Sequence, residues 1–380
     1  MNKYKCIRVL NVVDTQRNFT KIAPLLSAMH KSDQFYPLLA YVGQHYDEIS
    51  SVFFDDLKIK KPDILLGCTG GSHAEYTAKI MLAFEPILLK NSIDLIVVEG
   101  DVNATLACSL VASKLHVPIA HIEAGLRSFD HKMPKEINRI LTDKISDYLF
   151  TTCEDAKQNL LKEGFSSDKI FFVGNLMIDT LYNIWPKTTS APPIHTKSCC
   201  PNKYGLITLH YPLNIDIPNN FHAILKALDT IQKELPLIWP IHPNVRNAMK
   251  IQGIEQWIQS MKNLTFLDPL SYIDNLSLMK NAHVVITDSG SIQEETTALG
   301  VPCLTVRQNT EHSVTITQGT NQLVGIDTDG ILKGFYNISK TPFQPTPPSL
   351  WDGQTAPRIV KILKEHCFPI IPHKEPKVLL

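Results

Sequence analysis

The chain has 380 residues, 44% of them hydrophobic, which is enough for two domains with ordinary cores and argues against disorder. Lys and Arg together number 37, as do Asp and Glu, so no net field suits nucleic acid or an anionic membrane. We therefore expect neither as a partner, and any anionic ligand must be held by local groups.

The cysteine pattern and the hydropathy indicate a cytoplasmic protein. The eight cysteines form no CxxC or Cys/His ligand pattern, and no metal site is expected. No window approaches the ~20 apolar residues of a membrane span. The N-terminal run Cys6–Val13 is short and predicts a first strand rather than a signal peptide.

The first half of the chain alternates β-branched runs with amphipathic stretches, as in a doubly wound parallel sheet. Strands are predicted at Cys6–Val13, Tyr36–Val42, Leu95–Val98, Val117–His121, Tyr148–Thr152 and Ile170–Val173. Helices are predicted at Ile22–Met29, Glu48–Leu57, Glu75–Leu89, Thr105–Lys114, Ile137–Ile145 and Glu154–Glu163.

The second half repeats the alternation after Pro186–Pro201, a Pro-, Ser- and Thr-rich stretch that predicts a surface connection. Strands are predicted at Tyr204–Leu209, Leu237–Ile241, Leu264–Leu267, Val284–Thr287, Cys303–Val306 and Gln322–Val324, and helices at Phe221–Leu235, Tyr272–Asn281 and Gln293–Leu299. The fold class is therefore α/β, with two Rossmann-like domains and a cleft between them. We expect an N-terminal domain of residues 1–178, completed by a C-terminal helix at 357–380, and a second domain of residues 179–356.

Two acidic turns follow neighbouring strands of the first domain. Leu95–Val98 leads to Asp101, and Val117–His121 leads to Glu123. Ligands of such sheets bind beyond the carboxyl ends of the strands, and two carboxylates there suit proton transfer. The alternative is that Asp101 caps the next helix and Glu123 pairs with Arg127.

The segment Val284–Glu295 (VVITDSGSIQEE) predicts an anion site in the second domain. A strand, a Ser-Gly-Ser turn at Ser289–Ser291 and a helix aim backbone N–H groups at an anion, and Glu295 in the first helical turn could accept a sugar hydroxyl. The alternative is a helix capped by Asp288 or Ser289. His210 and His242 follow strands at the same edge, where either could contact a diphosphate or serve structurally. The chain holds no Walker lysine and no G-x-G-x-x-G motif.

Several motifs together resemble the non-hydrolysing UDP-N-acetylglucosamine 2-epimerase family. They read GQHYDEISSVFFDDL, EGDVNATLA, PIAHIEAGLRSF, INRILTD, VGNLMIDTL, HPNVR, TDSGSIQEE and GTNQLVGID, collinear from about Ile7 to Asp327. The stretch Gly43–Leu57 and the spelling HIEAGLRSF are similar to the branch that acts on UDP-2,3-diacetamido-glucuronate.

The resemblance implies a GT-B-like homodimer with no cofactor. Its UDP-sugar substrate would lose UDP and regain it with the opposite configuration at C2. The product would serve the synthesis of surface polysaccharide precursors. By motif it implies Asp101 and Glu123 as acid and base, with His210 near the diphosphate. It also implies substrate or UDP contacts, and these involve Gln16, Arg17, Lys21, Arg127, His242, Ser289, Gly290, Ser291 and Glu295.

The chain departs from the family motifs at several charged positions. The family's G-x-R-P-E loop is Asp14–Asn18, which places Gln16 at the arginine and Asn18 at the glutamate. The family's P-E-E motif is Pro134-Lys135-Glu136 here, so that Lys135 replaces one of its carboxylates. Glu136 could substitute for that carboxylate as a catalytic group. In its H-R-x-E-N, Tyr211 and Leu213 replace two charges, and Ser291 replaces a glycine. Three alternatives to epimerisation stay open: hydrolysis to UDP and free sugar, a catalytically impaired binding protein, and, more distantly, a GT-B glycosyltransferase.

Overall fold

The structure is a computed structural model that describes residues 6–43, 54, 56–188, 203–338 and 347–367. Two compact units are present, one built from residues 1–180 and 349–380 and the other from 181–348. Most of the predicted helix Glu48–Leu57 and of the connection Pro186–Pro201 lies outside the described residues, as does the chain beyond Cys367.

The first unit is a parallel sheet of seven strands flanked by helices. Its strands are β1 Ile7–Val13, β2 Phe35–Gly43, β3 Ile64–Cys68, β4 Leu95–Glu99, β5 Ile119–Ile122, β6 Tyr148–Thr151 and β7 Ile170–Phe172. Its helices are α1 Gln16–His30, α2 His73–Lys90, α3 Asn103–Lys114, α4 Pro134–Ile145, α5 Glu154–Lys162 and α6 Leu176–Thr188, with a short 3₁₀ turn at Ser167–Lys169.

The strand order in the first sheet is β3-β2-β1-β4-β5-β6-β7, so the order reverses between β1 and β4. β4 is buried along its whole length and pairs with β5 in the register Ile96↔Ile119. Strands covered on both faces need apolar side chains at successive positions, which explains the continuous apolar run in this part of the sequence. A core of aliphatic side chains from β4 and α3 lies on one face of this sheet.

The second unit is a parallel sheet of six strands with helices around it. Its strands are β8 Gly205–Thr208, β9 Leu237–Pro240, β10 Leu264–Leu267, β11 Val284–Thr287, β12 Cys303–Thr305 and β13 Asn321–Leu323. Its helices are α7 Pro212–Ile215, α8 Pro218–Ile231, α9 Pro243–Ile251, α10 Glu255–Gln259, α11 Tyr272–Lys280, α12 Gly290–Leu299, α13 Ser313–Thr317 and α14 Thr328–Ile338.

The order of the second sheet is β10-β9-β8-β11-β12-β13, and it reverses between β8 and β11. Its largest core contains the fully buried Trp239 and the apolar face of α8. In open parallel sheets a ligand binds beyond the carboxyl ends of the strands where the order reverses. Each unit therefore has one such edge, after β1 and β4 in the first and after β8 and β11 in the second.

The last described helix, α15 Thr355–Cys367, belongs to the first unit. Trp351, just before it, is buried and donates its indole N–H to the Thr152 carbonyl at 2.9 Å. The buried Asp179 carboxylate accepts the N–H groups of Thr355 and Ala356 at the start of the helix. These contacts attach the end of the described chain to the unit in which the chain began.

The alternation of strands and helices predicted from the sequence is confirmed, but one boundary at a functional segment was wrong. The helix predicted from Gln293 begins at Gly290, because Gly290 and Ser291 form its first turn rather than a loop before it. No helix within the described ranges has the length and apolar character needed to cross a membrane.

Candidate active site

The Asp101 carboxylate follows β4 at the edge where the first sheet reverses order. Arg139 donates to it at 2.5 Å and Lys135 lies 3.0 Å away. Burial opposes ionisation of this carboxyl, but Lys135 and Arg139 hold the pKa of Asp101 well below its usual range. The alternative role as a helix cap is not observed, because the N-cap of α3 is Val102.

Glu123 follows β5, the neighbouring strand, and meets a different cation. Its oxygens lie 2.6 and 2.7 Å from the Lys21 ammonium of α1. The backbone of Glu123 has φ 69°, a conformation that non-glycine residues rarely adopt and that clusters at functional sites. Pairing with Arg127, the alternative considered for this residue, is wrong, since Arg127 binds the carboxylates of Asp143 and Glu163.

A third carboxylate, Glu99 at the end of β4, lies in the same cluster and was not identified as a site residue from the sequence. It is 2% exposed and accepts from the Lys21 ammonium at 2.7 Å. Asn18 donates its side-chain amide to the other oxygen of Glu99. The contacts join residues 81 and 102 positions apart, so no local motif could have revealed them.

Glu136 is buried in the first turn of α4 and is occupied by structural contacts. It accepts the N–H groups of Ser128 and Phe129 at 2.9 and 3.0 Å and the Arg139 guanidinium at 2.8 Å. Its carboxylate therefore shapes the 128–129 loop and orients the arginine that contacts Asp101. The side chain that lies beside Asp101 is Lys135, at the position where the family motif has a carboxylate.

The loop after β1 lines a cavity of about 490 Å³ within the first unit. In its wall, Tyr76 donates its hydroxyl to Asp14 at 2.6 Å, and burial raises the pKa of Asp14. Arg17 is exposed at the start of α1, whereas the side chain of Gln16 lies outside the described set.

In the second unit, Asp288 joins the turns that follow β8 and β11. It accepts the backbone N–H groups of His210 and Tyr211 at 3.0 and 2.9 Å, and the His210 imidazole lies 3.2 Å from its other oxygen. Asp288 is thus not the cap of α12 but the residue that positions His210 at the edge where the second sheet reverses order.

Helix α12 begins at this edge, and its N-terminus carries the predicted anion segment. Ser289 is the N-cap and accepts no side-chain capping bond, while Gly290 and Ser291 follow as the first helical residues. A Cβ atom on Gly290 would lie 2.8 Å from Nε2 of the buried His312, so a larger residue would have to displace that ring. The arrangement suits an anion, because helix N-termini present unpaired N–H groups and positive potential.

The placement of Glu295 in the first helical turn was wrong, because the helix starts three residues earlier than predicted. Glu295 lies in the second turn, is 2% exposed and accepts the Tyr272 hydroxyl at 2.5 Å. His242, after β9, caps α9 by accepting the Asn244 N–H at 3.2 Å. His210, His242 and Ser289 nevertheless share the carboxyl edge of the sheet, as the sequence indicated.

These features define a class: a protein of two parallel α/β units, with a pair of carboxylates at the switch point of one and a helix N-terminus at the switch point of the other. Comparison with known proteins identifies the family within this class. Residues 27–364 match the family model described as UDP-N-acetylglucosamine 2-epimerase. The UDP-N-acetylglucosamine 2-epimerase of Methanocaldococcus jannaschii is 38% identical over 366 residues, 93% of this chain and 97% of that protein.

A second relative and a solved structure agree. The UDP-2,3-diacetamido-2,3-dideoxy-D-glucuronate 2-epimerase of Pseudomonas aeruginosa is 37% identical over 94% of this chain and 99% of its own length. The crystal structure of the M. jannaschii enzyme with UDP-GlcNAc and UDP superposes with a TM-score of 0.87 and 36% identity, over 94% of this chain and all of that one. The chain belongs to the UDP-N-acetylglucosamine 2-epimerase family and has its GT-B-like fold, which confirms the resemblance seen in the sequence.

Proposed function

We propose that the protein is a nucleotide-sugar epimerase that inverts C2 of a UDP-2-acetamido sugar. The observation that carries this proposal is the pair of carboxylates at the switch point of the first unit, Asp101 and Glu123, held by separate sets of cations. Family membership supplies the substrate class, since relatives bear the names of UDP-GlcNAc and UDP-diacetamido-glucuronate epimerases.

In the proposed reaction one carboxylate removes the C2 proton while the C1–O bond to UDP breaks, which leaves a 2-acetamidoglucal. The other carboxylate delivers a proton to the opposite face of C2 as UDP adds back to C1. Such a mechanism needs two groups with different proton affinities. Asp101, beside two cations, suits the ionised role, while Glu123 shares the Lys21 ammonium with Glu99.

The departing diphosphate is assigned to the second unit. Backbone N–H groups at Gly290 and Ser291 are suited to hold phosphate oxygens, since that of Ser289 already donates to the Thr287 hydroxyl, and Asp288 positions His210 at the same edge. Stabilising the leaving group in this way lowers the barrier to elimination. Roles for Arg17 in phosphate binding and Glu295 in ribose binding remain part of the proposal.

The motif replacements fit a rearranged site better than a lost one. Lys135 stands in place of a carboxylate, yet it contacts Asp101 and favours its ionised form. Arg307 lies over the ring of Tyr211, the residue that replaces the motif arginine, with 5.6 Å between the guanidinium carbon and the ring centroid. A cation is therefore present near that position although the motif residue is not.

We further propose that the protein acts as a homodimer without a cofactor, in the synthesis of surface polysaccharide precursors. Exposed apolar side chains on the first unit are available for a second copy, among them Leu82, Leu89 and Leu141. Light scattering coupled to size exclusion tests the dimer directly, and a monomer at micromolar concentration contradicts it.

The catalytic proposal is tested by exchange at C2. We expect the protein in deuterated water to place deuterium at C2 of UDP-GlcNAc or UDP-2,3-diacetamido-glucuronate, detected by NMR, with both epimers present at equilibrium. Asp101→Asn is expected to lower the exchange rate by about 10²–10⁴-fold, because the proton transfer it serves is lost. Exposed Asp33→Asn is the matched control and should leave the rate unchanged.

The other outcomes identify the alternatives. Free UDP and free sugar without epimerised nucleotide sugar indicate hydrolysis. UDP binding without exchange on any UDP-2-acetamido sugar indicates an impaired binding protein, and either result overturns epimerisation.

A further inference from the structure

The ammonium of Lys21 lies between two buried carboxylates on different strands. Its Nζ is 2.7 Å from Glu99 and 2.6 Å from Glu123. The lysine side chain is 12% exposed and those of the two glutamates 1% and 7%. One cation therefore serves two carboxylates that are almost entirely removed from solvent.

Asn18 fixes the other end of this cluster. Its amide nitrogen donates to Glu99, while its oxygen accepts the backbone N–H and the hydroxyl of Thr15, each at 2.8 Å. The motif that this loop resembles has a glutamate at the Asn18 position. Here an amide occupies the loop position, and the carboxylate bonded to it comes from the end of β4.

The sharing of Lys21 sets the electrostatics of Glu123. Lys21 on α1 and Glu99 on β4 face Glu123, and Asp101 lies within the field of the same lysine. A neighbouring negative charge favours the protonated form of a buried carboxyl group. Glu99 thus opposes the effect of Lys21 on Glu123, whereas Asp101 has two cations of its own.

We propose that Glu99 is a positioning residue for the reaction: it orients Lys21 and keeps Glu123 able to hold a proton that Asp101 gives up. The inference rests on the proposed function, since it deepens the division of labour between the two carboxylates. In this proposal Glu99 at the end of β4 supplies the negative charge that the loop after β1 lacks, because Asn18 stands where the motif has a glutamate.

The test compares Glu99→Gln with the wild-type chain in the C2 exchange assay across pH. Without the negative charge of Glu99, Lys21 favours the ionised form of Glu123 more strongly, so the limb of the pH–rate profile governed by Glu123 should move to lower pH. We expect kcat to fall by about 10–100-fold with little change in KM. The reason is that Lys21 loses a contact that orients it and Glu123 binds its proton less tightly. Glu85→Gln, at an exposed position of α2, is the matched control.

A second variant distinguishes the loss of the Glu99 charge from a folding defect caused by Glu99→Gln. Adding Asn18→Glu to Glu99→Gln returns the carboxylate to the loop and should restore most of the lost kcat and the original pH profile. UDP affinity, measured by calorimetry, should be the same in all these chains.

The inference is overturned if Glu99→Gln exchanges like Glu85→Gln, or if its rate falls with an unmoved pH profile and the double variant brings no recovery. Absence of exchange by the wild-type chain contradicts the proposed function instead, so the two failures can be told apart.

Discussion

Asp101 is held by two cations that differ in exposure. Arg139 is 2% exposed and is itself fixed by Glu136, while Lys135 is 50% exposed. Both lower the pKa of Asp101 against the effect of burial. The two contacts therefore differ in strength, since a half-exposed ion pair is screened by water and salt.

At this scale we predict the effect of Lys135→Met. The pKa of Asp101 should rise toward its ordinary value but stay below it, because Arg139 remains. If Asp101 must be ionised, the acidic limb of the exchange rate moves to higher pH by less than about one unit, the equivalent of ~0.2–1 kcal/mol for an exposed pair. The pH profile of kcat/KM, extended below pH 4 where Asp101 titrates, measures this.

The control for that prediction is Lys132→Met, an exposed lysine three residues earlier. An acidic limb that is unmoved by Lys135→Met, or moved equally by Lys132→Met, shows that the contact to Lys135 does not influence the acid–base step.

Helix α4 supports both acidic turns at once. Its Asp143 accepts the Gly125 N–H at 3.1 Å and meets His121 at 2.7 Å, and the other nitrogen of His121 donates to the Gly100 carbonyl at 2.9 Å. Gly100 precedes Asp101 and Gly125 lies two residues after Glu123, so one buried pair connects the backbone of both turns. The positions of the Asp101 and Glu123 turns thus depend on a helix face as much as on the strand ends.

We predict that Asp143→Asn destabilises the first unit by about 1–3 kcal/mol at pH 7, because the buried Arg127 loses one of its two carboxylate partners and keeps only Glu163. Burial opposes the ionisation of Asp143, but His121 and Arg127 lower its pKa below the unfolded value. Its ionic contribution is therefore present above the unfolded pKa of about 4 and is lost as the pH falls through the folded pKa.

Urea unfolding at pH 7 and at pH 3 measures both effects. The wild-type chain should lose more stability on acidification than Asp143→Asn, and Asp33→Asn should behave as wild type. Equal acid sensitivity of Asp143→Asn and wild type would contradict the role given to this pair.

The strand ends could be predicted from the sequence, and the contacts across them could not. Apolar runs that stop at Asp101, Glu123 and Ser289 located the switch-point turns, because the carboxyl ends of parallel strands share an edge. The partner of Glu123 proved to be Lys21, which is 102 positions away. Which cation reaches a carboxylate depends on strand order and helix rotation, and neither is encoded locally. The start of α12 was misplaced because a Ser-Gly-Ser segment favours a turn by composition but here forms a helical turn.

At the scale of the whole chain, the first unit is completed from both ends of the sequence. Residues 349–380 return to the unit formed by residues 1–180, and the second unit lies between them along the chain. Trp351 is 3% exposed and bonds the Thr152 carbonyl, so it is a principal contact of the returning segment. The stability of the first unit therefore depends on residues that follow the second unit in sequence.

We predict that Trp351→Ala destabilises the first unit by about 3–5 kcal/mol, from the lost burial and the cavity left behind. Trp351→Phe should cost less, since it keeps most of the apolar surface and loses a hydrogen bond of about 0.5–1.5 kcal/mol.

Calorimetric unfolding with and without UDP measures the effect. Because UDP is assigned to the second unit, it should raise the transition of that unit by mass action while the tryptophan variants lower the other. Phe129→Ala, at a side chain 72% exposed, is the control for loss of an aromatic ring in the first unit. The prediction is contradicted if Trp351→Ala loses UDP binding or if all unfolding transitions fall equally. Either result would show that Trp351 does not stabilise the first unit separately from the unit assigned to UDP.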